Sequence, residues 1–228
     1  MGLYPFLPAM SIHTIRTNNP GLRFLISYWS KYCTLEPWHT DWARRHIRIP
    51  DSLRKGDVLY LDGDRQKNVY LVARGLLARV QYHDGKRQIL SIALPGMALM
   101  TTDHLYSRTP SKGDIVVLRP HTIVIEIPYR AIRDFKDREP AIDTLIDVLG
   151  NKKRKQMATL RSATLGIKPF ESYLRFVNEL PELHHALTQT EAAQLLGISK
   201  TTLQSAHYFL VTGKHRKKAQ ISEPKSAV

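Results

Sequence analysis

The chain has a single cysteine, Cys33, among 228 residues. One thiol excludes a disulfide within the chain and any cysteine-rich cluster site, and it fits a reducing, cytoplasmic setting. No apolar run approaches the roughly 20 residues that a membrane-spanning helix needs. The opening MGLYPFLPAM lacks the basic flank and long apolar stretch of a secretion signal, and Phe6 stands where myristoylation needs Ser or Thr. No phosphate-cradling glycine loop and no paired nucleophile and base are present, which argues against an enzyme. His83, His104 and His121 are scattered without ligand-pair spacing, so neither a metal nor another cofactor is expected. Acidic residues are few: 20 Asp and Glu stand against 34 Lys and Arg, a formal net charge of +14.

That excess is uneven. Residues 151–228 carry 13 Lys and Arg against 5 Asp and Glu, and residues 1–150 carry 21 against 15. The more basic third contains LTQTEAAQLLGISKTTLQSAHYFL, residues 187–210. Thr188 followed by Glu191 has capping-box spacing, so a helix starts there. Gly197 ends it, because glycine takes the left-handed conformation at little cost. Ile198 is expected between the two helices, and Ser199 caps the second. Leu203, Ala206 and Leu210 recur at helical spacing and are expected to face inward. Lys200, Thr201, Gln204, Ser205 and Tyr208 are left facing outward. This is a helix-turn-helix pattern, in which the second helix enters the major groove of DNA. A basic domain around it points to a polyanion, most simply double-stranded DNA. An ordinary helical hairpin is the plain alternative.

The rest of the chain divides by pattern. Residues 1–22 read as a loose leader, with Met10 a second candidate start. Residues 23–46 hold two helical patterns separated at Pro37. Short strands follow, bounded by turns such as Asp62-Gly63-Asp64, Asp84-Gly85 and Pro95-Gly96. Many short strands with regular turns suggest a sandwich or jelly roll. From about Asp134 the chain turns helical, with one long helix starting near Pro140 and another between Pro169 and Pro181. The tail GKHRKKAQISEPKSAV is basic and then polar.

KGDVLYLDGD and VYLVARGLLARV, followed by a long helix and then the helix-turn-helix, resemble the Crp/Fnr superfamily of transcription regulators. The resemblance implies an α+β chain: an antiparallel β jelly roll of the cyclic-nucleotide-binding kind at residues 23–139, a dimerisation helix at 140–166 and a DNA-binding domain at 167–228. It implies a homodimer on a palindromic site. Ile142, Ile146, Leu149, Leu160 and Ala163 are at heptad-like spacing for the seam, interrupted by Lys153 and Gln156 and weakened at Gly150. It places DNA contacts at Thr188, Thr190, Ser199, Lys200, Thr201, Gln204, Ser205 and Tyr208, and an effector pocket at Met97, Asp103, Arg108, Lys112 and Gly113.

Two departures follow. Cyclic-nucleotide binders of this family hold the phosphate with a Gly-Glu helix start and an Arg followed by Ser or Thr. Here the stretch is PGMALMTTDHLYSRTPSKGDIVVL, with Lys112-Gly113 at the arginine position. Lysine neutralises a phosphate but lacks the planar fork, so cyclic AMP is not the expected effector and another small molecule remains open. The recognition helix has Lys200, Thr201 and Ser205 where many relatives carry Arg, Glu and Arg. The competing readings are a ligand-sensing or interaction protein that no longer reads DNA, and a jelly-roll metalloenzyme, which the histidine spacing disfavours.

Overall fold

The computed structural model describes residues 14–136 and 139–214. They form two compact units. The first takes in the described residues up to Lys86 and Leu90–Arg154; the second takes in Arg87–Ile89 and the described residues from Lys155.

The first unit opens with α1 (Pro20–Trp29) and α2 (Pro37–His46). The Asn19 side chain accepts from the amides of Gly21 and Leu22, and Pro20 supplies a preset φ at the first helical position. A helix therefore begins inside the stretch expected to be a loose leader, and Leu22 is buried. Residues 1–13 of that leader lie outside the described residues.

Seven strands follow among the described residues: β1 (Val58–Tyr60), β2 (Asn68–Arg74), β3 (Leu77–His83), β4 (Lys86–Ala93), β5 (Ala98–Met100), β6 (Asp114–Val117) and β7 (Ile123–Pro128). They make two sheets, ordered β1-β6-β3-β4 and β5-β2-β7, with antiparallel pairing. Asp84 and Gly85 both have positive φ, 49° and 72°, as the tight β3–β4 hairpin requires. Inside the roll lie Leu53, Tyr60, Tyr70, Leu77, Leu99, Ile115 and Val124.

A second cluster forms under α1, α2, α3 (Tyr129–Lys136) and the first half of α4 (Pro140–Thr164). Trp29, Trp42 and Phe135 meet there, and the Trp29 indole donates to the carbonyl of Ala141 at 2.7 Å. Ile142, Leu145 and Leu149 belong to this cluster. This corrects the expected dimer seam. Ile142 and Leu149 are spent on the protomer's own core, and Leu160 and Ala163 are also buried. On α4, Ile146, Gly150, Lys153 and Met157 stay half-buried.

The second unit contains α5 (Pro169–Glu179), α6 (Pro181–Ala186), α7 (Gln189–Leu196) and α8 (Lys200–Thr212). α5 packs on α8 through Phe176, Leu203 and Ala206, all fully buried, and through the Phe170–Phe209 pair at 5.6 Å. Among the described residues no helix is long and apolar enough to cross a membrane.

Candidate nucleic-acid interface

The helix-turn-helix forms from local chemistry. Thr188 Oγ1 accepts from the Glu191 amide at 3.2 Å, while Glu191 Oε2 accepts from the Thr188 amide at 2.9 Å. Two orphan donors of the helix start are thus matched reciprocally. Gly197 has φ 65° and closes α7. The Ile198 amide donates to the carbonyl of Ala193, and Ile198 is half-buried at the turn. Ser199 Oγ accepts from the Thr202 amide at 3.0 Å and starts α8.

Lys200 and Thr201 stand exposed at the first turn of α8, and Tyr208 is 42% exposed two turns on. Gln204 and Ser205, between them, are half-buried, and Thr188 and Thr190 are exposed at the start of α7. The Thr188 and Ser199 oxygens already serve as caps, and Ser199 Oγ also lies 2.8 Å from Thr202 Oγ1. Leu210 departs from its inward assignment and is 42% exposed, as the α8 stripe ends at Ala206. The helix runs to Thr212 and stops at Gly213, φ 68°. Lys214 is exposed; Arg216, Lys217 and Lys218 of the basic tail lie outside the described residues.

Sequence reasoning missed the polar centre of this unit. The Tyr173 hydroxyl, on a fully buried ring of α5, lies 3.1 Å from His184 Nε2 of α6 and 3.1 Å from His207 Nδ1 of α8. Burial holds His184 below the usual imidazole range, with the charges of His185 and His207 adding to the effect. The signal available was the pair His184-His185 in a short helix bounded by Pro181, and nothing local tied it to α8.

The expected effector pocket is arranged differently from the sequence reading. Met97 is buried in the inner cluster of the roll. Arg108 and Lys112 are both exposed, so Lys112 is not an interior cation. The reason is the chain path at Gly113. Its φ is +90°, and a Cβ there would come 2.5 Å from the Val80 carbonyl oxygen, so the segment is pressed backbone-first against β3. Lys112 thereby turns its side chain outward and its carbonyl inward. Asp103 accepts from Ser111 Oγ at 3.0 Å.

The interior cation is Arg79. Strand alternation puts it on the same face as Leu77, and its partner across the sheet is Ile115. It is 4% exposed. Its Nη1 donates to the carbonyls of Ser111, Lys112 and Gly113 at 3.1, 3.4 and 3.0 Å, and its Nη2 donates to the carbonyl of Met100. Burial lowers the pKa of Arg79, partly offset by Tyr60, Tyr129 and Asp103. Lys153 of α4 is lowered as well, by burial first and by the charge of Arg79 second, with Asp103 opposing. A guanidinium thus ties the end of β5 and the segment before β6 together through main-chain acceptors.

Among the described residues no group of three His, Cys, Asp or Glu side chains is placed to hold a metal ion. Residues 50–139 match the cyclic nucleotide-binding domain family. No curated protein matches the sequence. Among solved structures, the chain is similar to a cyclic nucleotide-binding domain containing protein from Listeria monocytogenes EGD-e, with a TM-score of 0.63 and 13% identity over 85% of this chain and 91% of that one. It is similar to FixK2 from Bradyrhizobium japonicum, with a TM-score of 0.60 and 16% identity over 73% and 85%. It is also similar to a transcriptional regulator of the crp/fnr family from Eubacterium rectale, with a TM-score of 0.58 and 14% identity over 82% and 89%. Residues 50–139 are thus similar to the cyclic nucleotide-binding domain family, and the chain shares the fold of these three solved structures.

Proposed function

We propose that this protein is a cytoplasmic, homodimeric, DNA-binding transcription regulator whose sensor unit does not answer to cyclic AMP. The observation that carries the DNA reading is the α7–α8 pair: both helices are capped, the turn between them is closed by Gly197, and the first turn of α8 offers Lys200 and Thr201 to solvent. A lysine at that point reaches the guanine acceptors of the major groove, and a threonine methyl meets thymine. The net charge of +14 supplies the sequence-independent attraction to phosphate. For the dimer, the half-buried stripe Ile146, Gly150 and Met157 on α4 replaces the seam that the protomer core consumes. For the effector, Arg79 speaks against a cyclic phosphate, since its donors are engaged by the carbonyls of the loop that would hold one. A different small molecule remains the candidate effector.

Selection of bound duplexes from a random pool, followed by affinity measurement, tests the DNA reading. A preferred site with two-fold symmetry is expected, and Lys200→Ala is expected to weaken it by about 1–3 kcal/mol while relaxing one base pair per half-site. Equal weakening on random DNA would make Lys200 a phosphate contact. No enrichment at all would leave the helix-turn-helix a structural hairpin. Titration calorimetry with cyclic AMP is expected to give no binding heat, and a low-micromolar dissociation constant would overturn the sensor reading.

A further inference from the structure

The triad Tyr173, His184 and His207 joins α5, α6 and α8 of the second unit, and one of its members is on the recognition helix. Its proton count is restrictive. A tyrosine hydroxyl has one proton to donate, and a neutral imidazole has one N–H and one bare nitrogen. Each nitrogen facing Tyr173 is within hydrogen-bond distance of the same oxygen. A continuous chain therefore needs one of these nitrogens protonated and the other bare.

The far nitrogen of His184 decides which. His184 Nδ1 is buried and has no hydrogen-bond partner. A buried N–H left without an acceptor costs more than a bare lone pair left without a donor. His184 therefore carries its proton on Nε2 and donates it to Tyr173, and Tyr173 donates onward to the bare Nδ1 of His207. Tyr173 faces the pair from α5, His185 flanks His184 on α6 at 5.5 Å between ring centroids, and from α7 the neutral Gln189 shares a surface hollow with His207.

We propose that this relay is a proton-sensitive latch on the recognition helix, loosening the seating of α8 on α5 when His207 is protonated. A proton on Nδ1 reverses the bond: the Tyr173 oxygen then accepts from both imidazoles, and its own buried hydroxyl proton is left without an acceptor. A second proton, on His184, places an unmatched N–H at the buried Nδ1. Both changes oppose the seating of α8 that base readout requires, while the added positive charge favours contact with any phosphate backbone. Acidification therefore lowers specificity and raises non-specific affinity, and the ratio of the two is the quantity to follow.

The inference rests on the DNA reading above, and two measurements separate them. In the first, the full-length protein is titrated against its selected duplex and against a random duplex at pH 8.0 and pH 5.5. The ratio of affinities is expected to fall by about tenfold for the wild-type protein, the worth of one hydrogen bond of ordinary strength. His207→Asn, whose side-chain oxygen replaces the Nδ1 acceptor without titrating, is expected to hold the ratio constant over that range. Tyr173→Phe is expected to give the low ratio at both pH values. A wild-type ratio that does not change, or one that changes equally in His207→Asn, overturns the proposal. The second measurement needs no DNA. Nitrogen NMR of the imidazole rings at pH 8.0 is expected to find His184 as the Nε2–H form and His207 bare at Nδ1. The opposite assignment overturns the latch even in a protein that binds no DNA, whereas the expected assignment with no DNA binding at either pH overturns the DNA reading and leaves the relay standing.

Discussion

Replacing Arg79 by methionine lowers the stability of the sensor unit by about 3 kcal/mol or more, despite similar side-chain volume. The expectation rests on which partners survive the change. The acceptors of Arg79 are main-chain carbonyls of Met100, Ser111, Lys112 and Gly113. No substitution removes them along with the guanidinium, and each buried acceptor left unmatched costs about 1–3 kcal/mol. Relief of the desolvated charge works in the other direction, but it is a single group against four. The exposed ones among comparable bonds, such as Arg74 to the carbonyl of His121, have water as a substitute and contribute far less. Denaturant unfolding followed by intrinsic tryptophan fluorescence reads the effect, because Trp29 and Trp42 are in this unit. Arg79→Lys is expected to recover part of the loss, as it keeps the charge and loses the fork. A loss below about 1 kcal/mol for the methionine variant would mean that the loop carbonyls find other donors, and the account of a filled pocket would fall with it.

In the second unit the largest effect is expected from Leu203→Ala. Leu203 is fully buried, whereas Lys200 and Thr201 of the same helix are exposed. Truncating such a leucine costs about 2–5 kcal/mol, the lost transfer energy plus the cavity left behind. A helical unit this small has few kcal/mol to lose, so the variant is expected to lose helical circular dichroism on mild heating and, with it, measurable DNA affinity. Lys200→Ala removes an exposed side chain and is expected to leave the thermal transition unchanged. The pair separates folding from reading on one helix. Equal thermal transitions for Leu203→Ala and the wild-type protein would refute the packing described here.

The parts of this architecture that were legible in the sequence are those fixed by neighbours in the chain. The Thr188–Glu191 box, Gly197 and Ser199 each act over three or four residues, so their spacing carries the answer. The hairpin at Asp84-Gly85 is of the same kind. Asn19-Pro20 is an equally local helix start, and it was obscured because the polar run before it reads as leader. What escaped depends on distant partners. A helical stripe of Ile142, Leu145 and Leu149 is compatible with a second protomer or with the sheet and helices of its own, and only the packed fold assigns it to the latter. Arg79 lies in a strand whose neighbours are apolar, where an arginine ordinarily reads as solvent-facing; the carbonyls that receive it come from the end of β5 and the segment before β6, more than twenty residues later. The same holds for Tyr173 and His207, which no local rule connects.

The strand pairings of the roll have a consequence for how the chain acquires its structure. β1 pairs with β6, Val58 opposite Val116, and β2 pairs with β7, Asn68 opposite Pro128. These closures bridge long stretches of chain and must form before they reward the entropy lost. The α7–α8 pair closes within a few residues of Gly197. Refolding from denaturant is therefore set by two clocks: the recognition helix has its shape early, and the sensor roll, with Arg79 entering its carbonyl ring only after β5 and β6 are in place, completes last.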